Sequence, residues 1–587
     1  MTAPALRRPR QPLWVPGLSV AGGTGALLGA ALVAGFVLAG LHAGHVAWGQ
    51  LLGTSTWYPT GDLYGAGAML YGTAVVSLVA LGLAVPVGWS AAVSLHEHLP
   101  DGAGRRLRSG VELLAAVPSI VYGLVGIALV RPLVAQVGNV PGGDSLLAAG
   151  LVLAVMVLPT VVAVSVDALA AVPDGVREAA ASLGLTRSEV VRSAVLPLAR
   201  RGMVGAVLLA LARALGETIA VFLVIGRADR NVPSPSHLLS SLVEPGQTLT
   251  TKLGGPEPVL AAAVGPHRAA LCALAVLLLV TVAVVTALGA GRRGAATAAR
   301  GRRRGGARRA RTARDRVART VRAVAVALPL ALVAGILGVL VGRGHIALRP
   351  SFWTTPSVGA SSGGVRDQVL GTLELVAATA VLALPLGAGL GLLLGEYAPA
   401  RLRRWLRTAT LTLGGVPTIV LGLAGYAVFS LALGWGKSWL AGALVLTVVV
   451  VPVVALSTAT RLDQLDSERR AAADALGLTR AQVVRSVLLP HARPAVLTGL
   501  LLGLARAAGE TAPLLFTATV FAGAASFPRG VVQSPVESLP THVFSLAQDA
   551  ADPAAVDAAW GSALLLVILV GLLLLTALPL RRRMERG

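Results

Sequence analysis

Residues Leu183 to Pro197 read LGLTRSEVVRSAVLP, and residues Leu476 to Pro490, 293 positions further on, read LGLTRAQVVRSVLLP. Eleven of the fifteen positions are identical. VPDGVREAAAS precedes the first copy, so the element reads as a short helix from about Asp174, a stop at Gly184 and a second helix. Thr186 with Glu189, and Thr479 with Gln482, carry capping-box spacing, and Pro197 and Pro490 close the element. A polar, arginine-bearing hairpin of this kind is foreign to the composition around it.

That composition is apolar. Of 587 residues, 55% are hydrophobic and 13% charged, and the mean hydropathy is +0.76. These values exclude a soluble enzyme of this length and make the chain an all-α polytopic membrane protein. Apolar runs of about 20 residues or more, enough to cross a bilayer, occur at about 17–40, 71–95, 111–135, 146–170, 203–226, 268–290, 323–342, 371–395, 408–433, 439–460, 495–523 and 561–580. About twelve transmembrane helices are expected. The first run follows Arg7, Arg8 and Arg10 but is too long and Gly-rich for a cleaved signal segment, so it is expected to remain as an anchor.

The net charge of +23 is gathered at span ends and in GRRGAATAARGRRRGGARRARTARDRVARTVR, Gly291 to Arg322, where thirteen arginines face one aspartate. This is the pattern of a linker that obeys the positive-inside rule and touches anionic membrane lipid, and no nucleic-acid partner is expected. Cys272, the one cysteine, lies in an apolar run; it excludes an internal disulfide and offers no metal cluster. Threaded alternately, the N-terminal arginines, Arg105, Arg106 and Arg108, both hairpins, the basic run and Arg581 to Arg583 fall on one side. That side is the cytoplasm, with both termini on it, and the chain sits in the cell membrane. The stretches 41–70, 227–267 and 343–370, poorer in positive charge, take the outer face.

The duplication extends well beyond the hairpins. GTAVVSLVALGLAVPVG from Gly72 parallels GTLELVAATAVLALPLG from Gly371, AAVPSIVYGLVG from Ala115 parallels GGVPTIVLGLAG from Gly414, and LARALGET from Leu211 parallels LARAAGET from Leu504. The offset is 299 up to the third span and 293 from the fourth on, a six-residue gap in an outer loop. Six spans separate equivalent points, an even number, so the halves share one orientation about a pseudo-twofold axis along the membrane normal. The expected organisation is a first half, residues 1–290, an Arg-rich tether, 291–322, and a second half, 323–587.

A structured hairpin presented twice by such a pair is what is needed to receive force from a twofold-symmetric soluble partner; the structural alternative is an amphipathic loop on the lipid surface. EAAASLG, Glu178 to Gly184, followed by Leu196 and Pro197, resembles the EAA signature of ABC importer permeases. The resemblance implies the type I fold of that superfamily, also called MetI-like, with a coupling helix that docks on a separate ATPase subunit. It assigns ATPase coupling to Glu178, Ala179, Ala180 and Gly184, and to Ala471, Ala472, Ala473 and Gly477 in the second copy. Ala471 stands where the acidic residue of the signature would be, and Glu468, one turn earlier, is the expected substitute.

Within the bilayer, Arg213 and Arg506 are expected ten residues into the fifth span of each half, about 15 Å deep and close to the midplane. An arginine there costs roughly 2.5–3.5 kcal/mol on insertion scales, so it must face a cavity or a partner. Glu217 and Glu510 follow at i+4, the weaker order for helix support, so local stabilisation explains them poorly. Two axis-related arginines suit an oxyanion path, with the glutamates holding them in place. A purely structural Arg-Glu weld between the halves is the alternative.

GTSTWYP at Gly53 to Pro59, VPSIVYG at Val117 to Gly123 and ARALGETIAVFLVIG at Ala212 to Gly226 are similar to PstC permeases of phosphate importers. GVPTIVLG at Gly415 to Gly422 and ARAAGETAPLLFTA at Ala505 to Ala518 are similar to their PstA partners. The resemblance implies a fused phosphate permease whose substrate path holds Arg213, Glu217, Thr218, Arg506, Glu510 and Thr511. Ser119 and Thr418, beside Pro118 and Pro417, are expected to turn a hydroxyl toward it. It also implies two copies of a PstB-like ATPase that uses ATP and Mg, docking at 173–197 and 466–490, and a PstS-like extracytoplasmic phosphate-binding protein; no cofactor is expected on this chain.

GKS within GWGKSW, Gly434 to Trp439, lacks the glycine a P-loop needs, since Leu431 stands there, and the energy source is expected on another subunit. His96 and His98 flank Glu97, which matches Glu396 in the second half, and read as a solvated span end. The rival readings are a permease for sulfate, molybdate or phosphonate, a twelve-span secondary transporter, and a non-transporting signalling protein.

Overall fold

The computed structural model describes residues 29, 34–35, 48–229, 231–232, 240–261, 265–290, 309–358, 363–465, 471–473, 475–521, 523–524, 530–548 and 552–586. Among them ten helices are long and apolar enough to cross a membrane, or eleven if one bent pair counts as a span. The first expected span falls almost wholly outside the described residues.

The first half contains α1 (Gly67–His98), α2 (Asp101–Ala116), α3 (Ser119–Gly138), α4 (Leu146–Ala170), the short α5 (Asp174–Ser182), α6 (Arg187–Gly216), a buried turn of helix α7 (Leu249–Leu253) and α8 (Gly265–Gly289). The second contains α9 (Arg322–Arg343), α10 (Arg366–Tyr397), α11 (Ala400–Gly415), α12 (Thr418–Ala432), α13 (Trp439–Asp463), α14 (Arg480–Ala508), α15 (Leu539–Leu546) and α16 (Pro553–Leu580). A two-stranded hairpin, β1 (Trp57–Tyr58) with β2 (Leu63–Tyr64), precedes α1.

Equivalent helices pack alike. α1 lies along α4 and α10 along α13; α6 sits between α4 and α8, and α14 between α13 and α16. Leu153, Val157 and Val161 recur every fourth residue on α4, each at most 1% exposed, and form one face of its packing. In lipid this packing is held by close van der Waals contact, since the solvent is as apolar as the side chains. α9 crosses to the first half and packs on α1 and α2. In the reciprocal direction, a Cβ on Gly29 would meet Leu413 at 2.7 Å and Val448 at 3.3 Å, both in the second half.

Three sequence expectations are corrected. The spans placed at 111–135 and 408–433 are broken: Val117 and Val416 are extended because proline follows, and α11 meets α12 at 94°. The spans placed at 203–226 and 495–523 end early, at Gly216 and Ala508, and begin earlier, at Arg187 and Arg480. The stretch 227–267 is not wholly an outer loop, because its later part folds back against the core. There Leu249 donates its N–H to the Thr73 hydroxyl at 3.0 Å, and in the second half Leu539 donates to Thr372 at 2.8 Å. The neighbouring Gly72 and Gly371 allow that approach: a Cβ on either would lie 2.0 Å from the carbonyl oxygen of Gln247 or Glu537.

Candidate functional site

The site is built from helix ends that stop inside the bundle. α6 ends at Gly216, and Glu217 is extended (φ −74°, ψ 130°). The chain coils again only at Ile219–Phe222. α14 ends at Ala508, passes Gly509 and resumes at Ala512–Thr517. The side chain of Thr250, beside Leu249, donates to the Glu217 carbonyl at 2.7 Å, so the returning loop supplies a donor that the broken helix lacks. Arg213 and Arg506 therefore occupy last turns of α6 and α14 rather than the middle of continuous helices.

This changes the expected arginine-glutamate arrangement. Arg506 does reach Glu510, Nε to Oε1 3.4 Å. Arg213 instead donates from Nη1 to the Thr160 hydroxyl of α4 at 3.1 Å, a partner 53 residues away that sequence spacing gives no means of finding. Glu217 lies on extended backbone past the end of α6, as Glu510 lies past the end of α14.

Between the halves lies a cavity of about 810 Å³. All eight residues singled out in the sequence line it: Arg213, Glu217, Thr218 and Ser119 from the first half, Arg506, Glu510, Thr511 and Thr418 from the second. Thr160 and Glu112 line it too. Glu112 is taken up by Arg108 at 2.8 Å, which also binds Asp167 at 2.8 Å. The N-terminal ends of α3 and α12, at Pro118–Ser119 and Pro417–Thr418, open on the same space. Two guanidinium groups and two positive helix ends line it together with the carboxyls of Glu112, Glu217 and Glu510, and the cationic groups are those an anion would engage.

The polar hairpins form as their spacing predicts. The Thr186 N–H donates to Glu189 Oε2 at 2.9 Å, and the Thr479 N–H to Gln482 Oε1 at 2.8 Å. Gly184 (φ 75°) and Gly477 (φ 67°) hold the left-handed turn between the helices, where a side chain would be strained. Glu178, Ala179, Ala471 and Ala472 are exposed, Ala180 and Ala473 buried. Glu468 lies outside the described residues. Leu183 and Leu476, 79% and 78% exposed, stand at the two tips.

Arg177 roots the first hairpin. Its guanidinium donates to Glu97 Oε1 at 2.9 Å and to the carbonyls of Leu169 and Val172 at 2.9 and 2.6 Å. His98, next to Glu97, is bonded to Arg322 of α9, Nε2 to Nη1 2.9 Å. The GKS residues serve locally: Lys437 donates to the Thr519 carbonyl at 2.8 Å, and the Ser438 hydroxyl caps α13. Burial lowers the Lys437 ammonium below the usual lysine value.

On the opposite face, Lys252 of α7 is 2% exposed and pairs with Asp229 at 2.8 Å and with Glu257. Glu257 also binds His267 at 2.9 Å and accepts from the Trp57 indole at 3.0 Å. This network fastens the β1–β2 hairpin to the returning loop that supports Glu217.

Residues 84–294 and 387–585 each match the profile of the family described as binding-protein-dependent transport system inner membrane component. A phosphate transport system permease protein PstC from Mesorhizobium japonicum is 34% identical over 259 residues, covering 41% of this chain and 76% of that protein. PstC from Haemophilus influenzae is 36% identical over 217 residues, 33% of this chain and 69% of that protein. A phosphate transport system permease protein PstA 2 from Mycobacterium tuberculosis is 36% identical over 215 residues, 36% of this chain and 70% of that protein.

Proposed function

The chain belongs to the family of binding-protein-dependent transport inner membrane components, as a fused PstC- and PstA-like permease, and from that premise we propose that it forms the whole translocation path of an ATP-driven importer of inorganic phosphate. The observation that carries this reading is the cavity of about 810 Å³ that gathers Arg213 and Arg506 from the two halves with two helix N-termini. The names of the relatives, phosphate transport permeases, support the choice of substrate.

In this reading the hairpin face is cytoplasmic, both termini lie there, and two copies of an ATPase subunit dock on the hairpins at 173–197 and 466–490. ATP and Mg act on that ATPase, and this chain carries no ATP site. An extracytoplasmic phosphate-binding protein docks on the face that bears β1–β2. Closure of the ATPase dimer draws the hairpins together, and α6 and α14, which run unbroken from the second hairpin helix to the cavity, carry that movement to Arg213 and Arg506. The cavity opens outward to receive phosphate, and hydrolysis returns it inward. Guanidinium forks stabilise the anion by charge-assisted hydrogen bonds, while Glu217 and Glu510 keep the empty cavity from holding a dianion too tightly.

The test is radiolabelled phosphate uptake in cells lacking their own high-affinity importer, with this chain, its ATPase and its binding protein supplied, in competition with arsenate and sulfate. Uptake blocked by arsenate and not by sulfate is expected, and Arg213→Gln with Arg506→Gln should abolish it while the complex still assembles. An assembled complex that takes up sulfate, molybdate or phosphonate and no phosphate would overturn the substrate. A chain that transports without co-purifying an ATPase would overturn the mechanism.

A further inference from the structure

The two returning loops share a path but not their fastenings. Leu249 and Leu539 donate to Thr73 and Thr372 in the same way and set the register between the loops. In that register Pro540 and His542 stand where the first half has Thr250 and Lys252, so the hydroxyl donor and the ammonium are not repeated at those places.

Thr250 and Lys252 sit on one turn of helix and hold different partners. On the cavity side, the Thr250 hydroxyl donates to the Glu217 carbonyl at 2.7 Å. A Cβ on Gly254 would lie 2.6 Å from the Thr218 methyl, so the end of α7 also presses on the next residue of the cavity wall. On the outer side, Lys252 Nζ pairs with Asp229 at 2.8 Å and with Glu257, and lies 5.0 Å from the centre of the Trp57 ring. Glu257 in turn accepts from the Trp57 indole at 3.0 Å. Trp57 of β1 meets Tyr64 of β2 edge-on, with ring centroids 5.4 Å apart. An unbroken series of contacts therefore runs from the outer hairpin to the backbone of Glu217.

This series is stiff at its middle. Lys252 is 2% exposed, and an ammonium parted from Asp229 and Glu257 would be left buried and unpaired, so the three groups move as one. α7 is a single turn, buried at all five residues, with little length over which to bend. A displacement of Glu257 by the outer hairpin thus reaches Thr250 and the carbonyl it holds. Coupling between distant sites requires a packed element of this kind that both ends can bias.

We propose that Lys252 and Thr250 are positioning residues that transmit occupation of the outer hairpin face to the cavity wall at Glu217 and Thr218, the first-half loop alone carrying this link. The inference rests on the reading of that face as the dock of the extracytoplasmic phosphate-binding protein.

The experiment measures ATP hydrolysis by the full complex in lipid nanodiscs, with and without phosphate-loaded binding protein, and the affinity of that protein for the complex. Thr250→Val removes the donor at nearly constant size, and Lys252→Met removes the charge. Both are expected to leave basal hydrolysis and binding-protein affinity near wild type and to cut the stimulation at least about fivefold, the scale of a coupling free energy between sites. Thr250→Ser should restore it. The double variant should lose no more than Lys252→Met alone, because both residues lie on one route. Stimulation that survives in both single variants would overturn the proposal, as would losses that multiply in the double variant. A serine variant as impaired as valine would mean that Thr250 acts through packing and would overturn its positioning role. If Lys252→Met fails to assemble with the ATPase, the valine and serine variants at position 250 decide alone. A wild-type complex that neither binds nor responds to the phosphate-binding protein would remove the docking reading itself, a result distinct from a normal wild type with unaffected variants.

Discussion

Gly509, which caps α14, stands against Pro118 of the opposite half: a Cβ added to it would lie 3.1 Å from the Pro118 Cβ. In the mirrored place a Cβ added to Gly216 would lie 3.6 Å from the Pro417 Cβ, an ordinary contact. The broken fifth helix of each half thus abuts the proline break of the other, and the two contacts close the wall of the cavity. The Gly509 backbone (φ −90°, ψ −6°) suits any residue, so glycine is required there for space. Gly216→Ala is expected to be tolerated, whereas Gly509→Val should press the halves apart at a cost of about 1–3 kcal/mol. Thermal unfolding of the solubilised chain measures this, and a Gly509→Val protein that melts with wild type would show that the contact has slack.

Arg177 joins the first hairpin to α1 through Glu97, which is only 6% exposed. Removing one partner of such a pair leaves a buried charge unbalanced and costs about 3–5 kcal/mol, whereas neutralising both costs less. Arg177→Ala should therefore lower the melting temperature markedly, and Glu97→Gln combined with Arg177→Gln should recover part of the loss. Additive losses in the double variant would mean that the two groups are not coupled.

The duplicated hairpins were legible because every signal in them is local: the cap pairs Thr186–Glu189 and Thr479–Gln482, and the turn glycines Gly184 and Gly477. The cavity residues were legible as residue types, since an arginine in an apolar run needs a reason to be there. The helix break behind them was not, because Ile219 to Ile225 continue the apolar run across it and hydropathy has no term for backbone direction. Gly216 and Gly509, each followed by Glu and Thr, were the available hint. The folding back of the loop at 249 was hidden by its threonines and Lys252, which look solvated until Asp229 and Glu257 are seen to neutralise the lysine. Its trace in the sequence was the Gly-Thr pair at 72–73 and 371–372, whose partners lie more than 160 residues away.

The hairpin tips differ in charge but not in shape. Glu178 and Ala471 are both exposed at the same place, and Leu183 and Leu476 are almost equally bare. If the tips dock on an ATPase, the leucines supply the shared anchor and Glu178 an added charge on one side. Glu178→Ala is expected to weaken ATPase association about two- to fivefold, on the scale of an exposed ion pair, with a smaller effect at high salt. Ala471→Glu should leave association unchanged or tighten it, and Leu183→Asp with Leu476→Asp should abolish it. Co-purification across a salt series reads all three, and loss of binding in Ala471→Glu would argue that the second site is shaped to exclude a charge.

Glu537 sits where the returning loop of the second half meets α10, its carbonyl against Gly371 and its carboxylate accepting from Gln368 at 2.5 Å and from the Ala524 N–H at 3.2 Å. Burial pushes this carboxyl above the usual glutamate value, the Ala524 bond opposing and nearby Asp367 adding to the rise. The folded chain therefore holds the proton more tightly than the unfolded chain. Its contribution to stability is greatest at low pH and is lost as pH rises through the raised folded value. The equivalent place in the first half is already neutral: Gln247 presents its carbonyl to Gly72 in the same way. Glu537→Gln should accordingly keep the Gln368 contact, melt at or above wild type at pH 8 and show a flatter dependence between pH 5 and pH 8. A Glu537→Gln protein that melts below wild type at pH 8 would show that the ionised carboxylate is needed to hold the loop.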